Sequence, residues 1–336
     1  MKTTSTVLCD VMADDAPSTA TEITSHVLES EDVRVTLLSL GCIVQDWQVA
    51  GRSVTLGYDR VESYLDNRNH FGEVVGRVAN RIRNGHFSLL GRDYRLPITS
   101  PPHHLHGGPL GFGRRLWRAD PDGSRGVLFS LHSPDRDQGY PGAVDVEVFI
   151  KLTGHRLIWE MTAKPDQPTP INLAQHLYFN LNGSGAARGH VLYLNADSYT
   201  PNDETGCPTG QIASVADTQF DFRTARSLNE ADIQGQGFDH NMVLNMGRGR
   251  PTAELTGSDL HLRLWTDQPG LQLYDGGNLA STGAALPGQS HQPGTAICLE
   301  AQGFPNAPNE PAFPSIICTP DQPYFQRTEI EIAPKP

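Results

Sequence analysis

From about residue 24 onward, apolar and polar positions alternate along short stretches of the chain. Val33-Arg34-Val35-Thr36-Leu37 alternates, and so do residues 44–49 and 53–56. A strand with one buried face requires this period of two, because successive side chains leave on opposite sides of a sheet. Residues 87–96 predict a hairpin turning near Gly91, and residues 144–152 with 156–162 predict a second, joined by Thr153-Gly154-His155. Further strands are expected at 191–194, 253–255, 260–265, 271–274, 296–299 and 328–332. Helical patterning is confined to 61–67 and 227–232. Gly or Pro interrupts the pattern about every ten residues, which suits a sandwich or a barrel. No period repeats and no linker divides the chain, so residues 23–336 are expected to form one all-β domain. Residues 1–22 are mostly small and polar, and are expected to be disordered.

Composition narrows the classes. The 336 residues carry 26 basic and 38 acidic side chains, a formal charge of −12. Such a chain has no general attraction to phosphate backbones or anionic lipid, so neither nucleic acid nor a membrane surface is an expected partner. No apolar run reaches the length of a membrane span, and the first residues lack the pattern of a signal peptide. Cys9, Cys42, Cys207, Cys298 and Cys318 are widely spaced and form no CxxC pair. They read as free thiols in a reducing compartment, so a cytoplasmic location is expected.

Several polar residues stand in unusual company. Glu300 ends an apolar run and opens a loop rich in Gly and Pro. It reads either as a general base held at a strand end or as a solvated strand-end carboxylate. His176 lies between Leu173 and Leu177-Tyr178-Phe179, as a proton donor or as a satisfied core residue. His106 precedes Gly107-Gly108, where missing side chains would admit a ligand to the backbone, or where the chain simply turns. His104-Leu105-His106 has the spacing that sets two imidazoles on one strand face, as metal sites do. No acidic residue nearby completes a ligand set. Asn80, Arg81, Asp239 and Gln272 mean little alone. The chain has no GxGxxG after a strand, no Walker loop, no GxSxG and no HExxH.

Taken in order, these segments resemble the galactose mutarotase (aldose 1-epimerase) family from about Gly41 to Ile332. The matching stretches are GRVANRI at 76–82 with Gly85 and Phe87, LHGG at 105–108 with Gly111-Phe112 and Trp117, and NLxxHxYFNLxG at 172–183. Asp197-Ser198-Tyr199-Thr200-Pro201, Pro208-Thr209-Gly210, Gly237-Phe238-Asp239-His240, Gln272-Leu273-Tyr274 and CLExQxFPxAPN at 298–309 follow. The resemblance implies a large antiparallel β-sandwich (a mutarotase-like supersandwich) with a sugar cleft on its face. It also implies interconversion of the α and β anomers of a free aldose with no metal or organic cofactor. Matched by motif, Glu300 corresponds to the family's base and His176 to its acid. Arg81 and His106 correspond to residues that bind and polarise the sugar, Asp239 and Gln272 to residues that hold ring hydroxyls, and Asn80 to a further sugar contact. The expected state is a monomer or homodimer. Asn306, Ala301, Gly303 and the run Tyr274-Asp275-Gly276-Gly277-Asn278 depart from the commoner family residues, and bear on which sugar is accepted. The alternatives are an epimerase of a modified or phosphorylated sugar, or a sugar-binding module without catalysis.

Overall fold

The computed structural model describes residues 2–5, 22–123, 126–245, 247 and 249–335. Its main sheet has nine antiparallel strands. In spatial order they are Arg118–Asp122, Gly126–Ser133, Val144–Thr153, Arg156–Pro165, Tyr324–Pro334, Leu260–Thr266, Ala253–Thr256, Val191–Leu194 and Arg226–Ser227. A six-stranded sheet runs Tyr178–Phe179, Ile297–Gln302, Gly270–Tyr274, Asp239–Leu244, Ala196–Thr200 and Ala213–Ser214. A five-stranded sheet contains Thr24–Ser30, Val33–Leu38 and Ile43–Val49.

The period-two pattern explains the pairing. Along Val144–Thr153, residues 144, 146, 148, 150 and 152 are buried while the odd-numbered neighbours reach toward solvent. A one-residue slip would expose all five, so the register with the following strand is fixed. Trp47 of the five-stranded sheet meets Trp159 of the main sheet with ring centres 6.2 Å apart, and Phe179 of the six-stranded sheet at 6.4 Å. One apolar core takes side chains from Leu28 to Ile332. The layers are those of a large antiparallel β-sandwich.

The predicted hairpins form as His86–Leu89 with Arg92–Arg95, and as Val144–Thr153 with Arg156–Pro165. The helical stretches become a 3₁₀ segment, Val61–Asp66, and a single α-turn, Leu228–Ala231, started by a Ser227/Glu230 capping box. The strand expected at 53–56 does not extend that far. Only Arg52–Ser53 pairs with the preceding strand, and the chain then crosses to Tyr178–Phe179 through a single bridge at Thr55. Within the segment expected to be disordered, Lys2–Ser5 forms a strand against Thr24–Ser30, and residues 1 and 6–21 lie outside the described residues.

The two arginines of the 76–82 stretch serve different ends. Arg77 is buried and donates to the carbonyls of Pro141 and Gly142 at 2.9 and 2.8 Å and to Ser133 Oγ at 2.5 Å. Desolvation pushes this guanidinium down to about 10. It ties the segment below the cleft to the main sheet, while Arg81 continues into the cleft. Arg77→Met would leave two carbonyls and a hydroxyl without donors, at about 1–3 kcal/mol each. We expect a loss of roughly 3 kcal/mol or more in urea denaturation. A loss within experimental error would contradict the structural role given to Arg77.

Candidate active site

Three neighbouring strands of the six-stranded sheet build the floor of a polar cleft. Asn241 lies opposite Gln272, and Gln272 opposite Glu300. The intervening residues Met242, Leu271, Leu273 and Leu299 point into the main core. Alternation therefore leaves Asp239, Asn241, Gln272, Glu300 and Gln302 on the other face. Gln272 Nε2 donates to Asp239 Oδ1 at 2.6 Å, and Gln302 Nε2 donates to Gln272 Oε1 at 3.3 Å. Arg81 approaches Asp239 Oδ2 at 3.4 Å.

Glu300 is only 2% exposed. Its Oε2 has no hydrogen-bond partner among the described residues. Burial is the main reason its carboxyl is pushed well above the usual range. The Asp239 charge adds to the rise, and Arg81 opposes it. His176 Nε2 faces Glu300 Oε1 at 3.8 Å, and His176 Nδ1 faces the Cys298 thiol at 3.9 Å. Burial pushes this imidazole down to about 3, with His70 adding to the fall and Glu73 opposing it. These two shifts push a shared proton toward Glu300 and away from His176.

The wall is a cluster of three histidines. His106 stands 5.2 Å from His176, and His70 stands 5.7 Å from His176 and 4.7 Å from His106, measured between ring centres. His106 Nδ1 accepts the backbone N–H of Asn80 at 3.1 Å. In the neutral ring, its hydrogen therefore sits on Nε2. Tyr178 stacks on His176 from the far side at 5.0 Å.

The structure gathers Glu300, His176, His106, Arg81, Asp239 and Gln272 around one cleft. Asn80 acts locally. It holds φ 61°, and its Oδ1 accepts the Arg81 backbone N–H at 2.9 Å. The metal reading of His104 and His106 meets a physical obstacle. His104 is buried, with Nδ1 donating to the Pro97 carbonyl at 2.7 Å and Nε2 bonded to the Tyr140 hydroxyl at 2.8 Å. His106 lies past the end of the strand His104–Leu105 at φ 50°, so strand alternation no longer sets its direction. A different group, His176, Cys298 and Glu300, has donor atoms within 4.8 Å of one another and could hold an ion. His70 and Glu73 carried no signal that sequence reasoning recognised, whereas Cys298 and Gln302 lie inside the matching 298–309 stretch without having been singled out. The only local hint for the first two was an acid three residues after a histidine, ahead of the 76–82 stretch.

The departing residues have structural partners. Asn306 Oδ1 accepts from the Arg83 backbone at 2.9 Å, and Asn306 Nδ2 donates to Glu310 at 2.8 Å. Asp275 pairs with Arg188, which also holds Asp232 at 2.6 Å.

The sequence profile of the family described as aldose 1-epimerase matches residues 24–331. Galactose mutarotase of Bos taurus is 39% identical over 326 residues, covering 94% of this chain and 95% of the relative. Aldose 1-epimerase of Haemophilus influenzae is 40% identical over 271 residues, covering 77% of this chain and 79% of that protein. Among solved structures, a GalM/aldose epimerase homologue from C. elegans superposes with a TM-score of 0.88 at 29% identity, over 93% of this chain and all of the other. Galactose 1-epimerase from Lactobacillus acidophilus gives 0.85 at 27% identity, covering 100% and 99%.

The burial of Glu300 has a consequence for stability. Its folded pKa lies above the unfolded value of about 4.3. The unfolded chain therefore ionises first as pH rises, and the folded state loses stability between the two values. Glu300→Gln keeps the shape and removes this penalty. The variant should be more stable than wild type at pH 8 and nearly equal to it near pH 4, by about 1.4 kcal/mol per unit of pKa separation. Urea denaturation at the two pH values checks this, and a pH-independent gap would refute it.

Proposed function

The chain belongs to the aldose 1-epimerase family, and from that premise we propose that its cleft opens and recloses the hemiacetal ring of a free aldose with Glu300 as base and His176 as acid. The carrying observation is the buried pair at 3.8 Å, with Glu300 on the strand Ile297–Gln302 and His176 in the short connection between Ala174–Gln175 and Tyr178–Phe179. Ring opening removes a proton from the C1 hydroxyl and delivers one to the ring oxygen. Rotation about C1–C2 then presents the other carbonyl face, and the reverse transfers close the ring as the other anomer. The same two groups serve both directions, so no proton is gained or lost in the cycle.

The pair favours its proton on the carboxyl, whereas the opening step needs it on His176. Arg81 favours the ionised carboxylate, and a sugar seated over the pair replaces the missing partner of Glu300 Oε2. His106, presenting Nε2–H, and Arg81 polarise the oxygens of the ring. Asp239, fixed by Gln272, accepts from a ring hydroxyl, and Asn80 holds Arg81 and His106 in place. The names of the relatives make galactose the first sugar to test, with glucose beside it. Buried free thiols at Cys42, Cys207, Cys298 and Cys318 support a cytoplasmic location. No helix among the described residues is long and apolar enough to cross a membrane.

Polarimetry of freshly dissolved α-galactose should show equilibration accelerated by the protein. Glu300→Gln and His176→Asn should each lower kcat by roughly 10²-fold or more. Full activity in either variant would remove that residue from its role. The pH profile offers an independent check. The pair keeps its one proton until pH rises through the raised value of Glu300, and the Asp239 charge is part of that rise. Asp239→Asn should therefore move the alkaline limb of kcat/KM to lower pH while raising KM. An unmoved limb would show that the limb belongs to another group.

A further inference from the structure

His70 and Glu73 form a pair that the acid–base scheme has not used. Glu73 is 3% exposed, yet its carboxylate is satisfied. His70 Nδ1 donates to Oε1 at 2.5 Å, and Asn67 Nδ2 donates to Oε2 at 3.2 Å. The place is shaped for the carboxylate: a Cβ at residue 113 would lie 2.3 Å from the Glu73 carboxyl carbon, and Gly113 leaves that space open. Two backbone bonds of 2.9 Å, Gly72 N–H to the His176 carbonyl and His176 N–H to the Glu73 carbonyl, lock this segment to His176. The His70 ring then stacks on His176 at 27°. Its Nε2 makes no hydrogen bond among the described residues.

The charged and titratable groups around His70 are Glu73, His106 and His176, with Arg114 behind Glu73 and Arg81 and Glu300 across the cleft. Of the three rings, His70 alone has a carboxylate at hydrogen-bond distance. It is also the most exposed, at 24% for its side chain against 6% for that of His176. An imidazolium is held most easily where a carboxylate faces it and water still reaches it.

We propose that His70 and Glu73 form a proton-holding pair for the acid side of the cleft, and that His70 is a positioning residue acting through His176. The inference rests on the mutarotase reading. The N–H bond on His70 Nε2 breaks, and its proton crosses a water or sugar hydroxyl that gives up another. A new N–H bond forms on His176 Nε2, ready for the ring oxygen. One carboxylate and one ring proton are present before and after, so the group of three keeps zero net charge. With His70 neutral, the Glu73 carboxylate becomes the counter-charge of protonated His176. In agreement, Glu73 favours the protonated form of His176. Burial acts to raise the Glu73 carboxyl, but His70, with Arg114 contributing, more than offsets this and holds it below the usual carboxylate range.

The test compares wild type, Glu300→Gln, His70→Asn and Glu73→Gln in galactose mutarotation from pH 5 to 9. Both new variants should lose about 10-fold or more in kcat with KM changed less than threefold, and Glu73→Gln should move the alkaline limb of kcat/KM to lower pH. Ring nitrogen NMR of histidine-labelled wild type should find the imidazolium on His70, with His106 and His176 neutral. Variants with wild-type kcat and pH profile, or a neutral His70 in a sample where another ring of the cluster is charged, would overturn the inference. The NMR result stands even where a variant fails to fold. If wild type does not accelerate mutarotation, the mutarotase reading fails. If wild type is active and Glu300→Gln is not while His70→Asn is unchanged, only the proton-holding role fails.

Discussion

The site depends on removing a carboxyl group from water on the face of a sheet. Every second side chain of Asp239–Leu244, Gly270–Tyr274 and Ile297–Gln302 must serve the apolar core, and the pleat sends the others to the opposite face. Burying that second, polar row is costly unless its members bond to each other. The row largely does so: Gln302 donates to Gln272, and Gln272 to Asp239. Three of its atoms lack a partner among the described residues, Asn241 Nδ2, Gln302 Oε1 and, on the carboxyl, Glu300 Oε2. The same desolvation that leaves this oxygen unpaired also makes the carboxylate a stronger base. The core behind the floor holds it in place against this cost, because moving Glu300 out would drag Leu299 and Ala301 from the interior. Stability of the sandwich and reactivity of the floor therefore arise from one alternation.

Much of the fold was legible for the same reason. Period-two alternation is a local signal, and it marked both hairpins and six of the nine strands of the main sheet, but only Gly270–Tyr274 and Ile297–Gln302 of the six-stranded sheet. Where it misled, the chain was leaving a sheet. Residues 53–56 alternate, yet after Ser53 the backbone bridges to another strand and ceases to pair along its length. The candidate site was harder to read. Arg81 and Glu300 meet across more than two hundred residues, so no spacing rule connects them, and it was the order of whole motifs that brought them together. Spacing was also misleading at His104 and His106. The H-x-H rule assumes a continuing strand, and the backbone at His106 has already turned into the left-handed region. His70 and Glu73 were invisible because three residues of irregular chain carry no facing rule of the kind a helix gives.

The structure contains two buried carboxyl groups near the same imidazole, and their surroundings drive them in opposite directions. Glu73 and Glu300 are both withdrawn from solvent, and desolvation acts to raise both. At Glu73 this is more than offset by His70, with Arg114 nearby and Asn67 on its second oxygen, so it remains ionised. Glu300 has Asp239 for a neighbour and one oxygen unbonded, so it is held toward the protonated form. Paired groups whose environments separate their affinities for a proton are the means by which one cleft runs acid and base steps at a single pH. His176 lies between the two and burial holds it toward its neutral form, while a proton placed on it is favoured by Glu73 on one side and by an ionised Glu300 on the other. In the proposed mechanism, a sugar hydroxyl bonded to Glu300 lowers the proton affinity of the floor relative to the wall, which is the direction the ring-opening step requires.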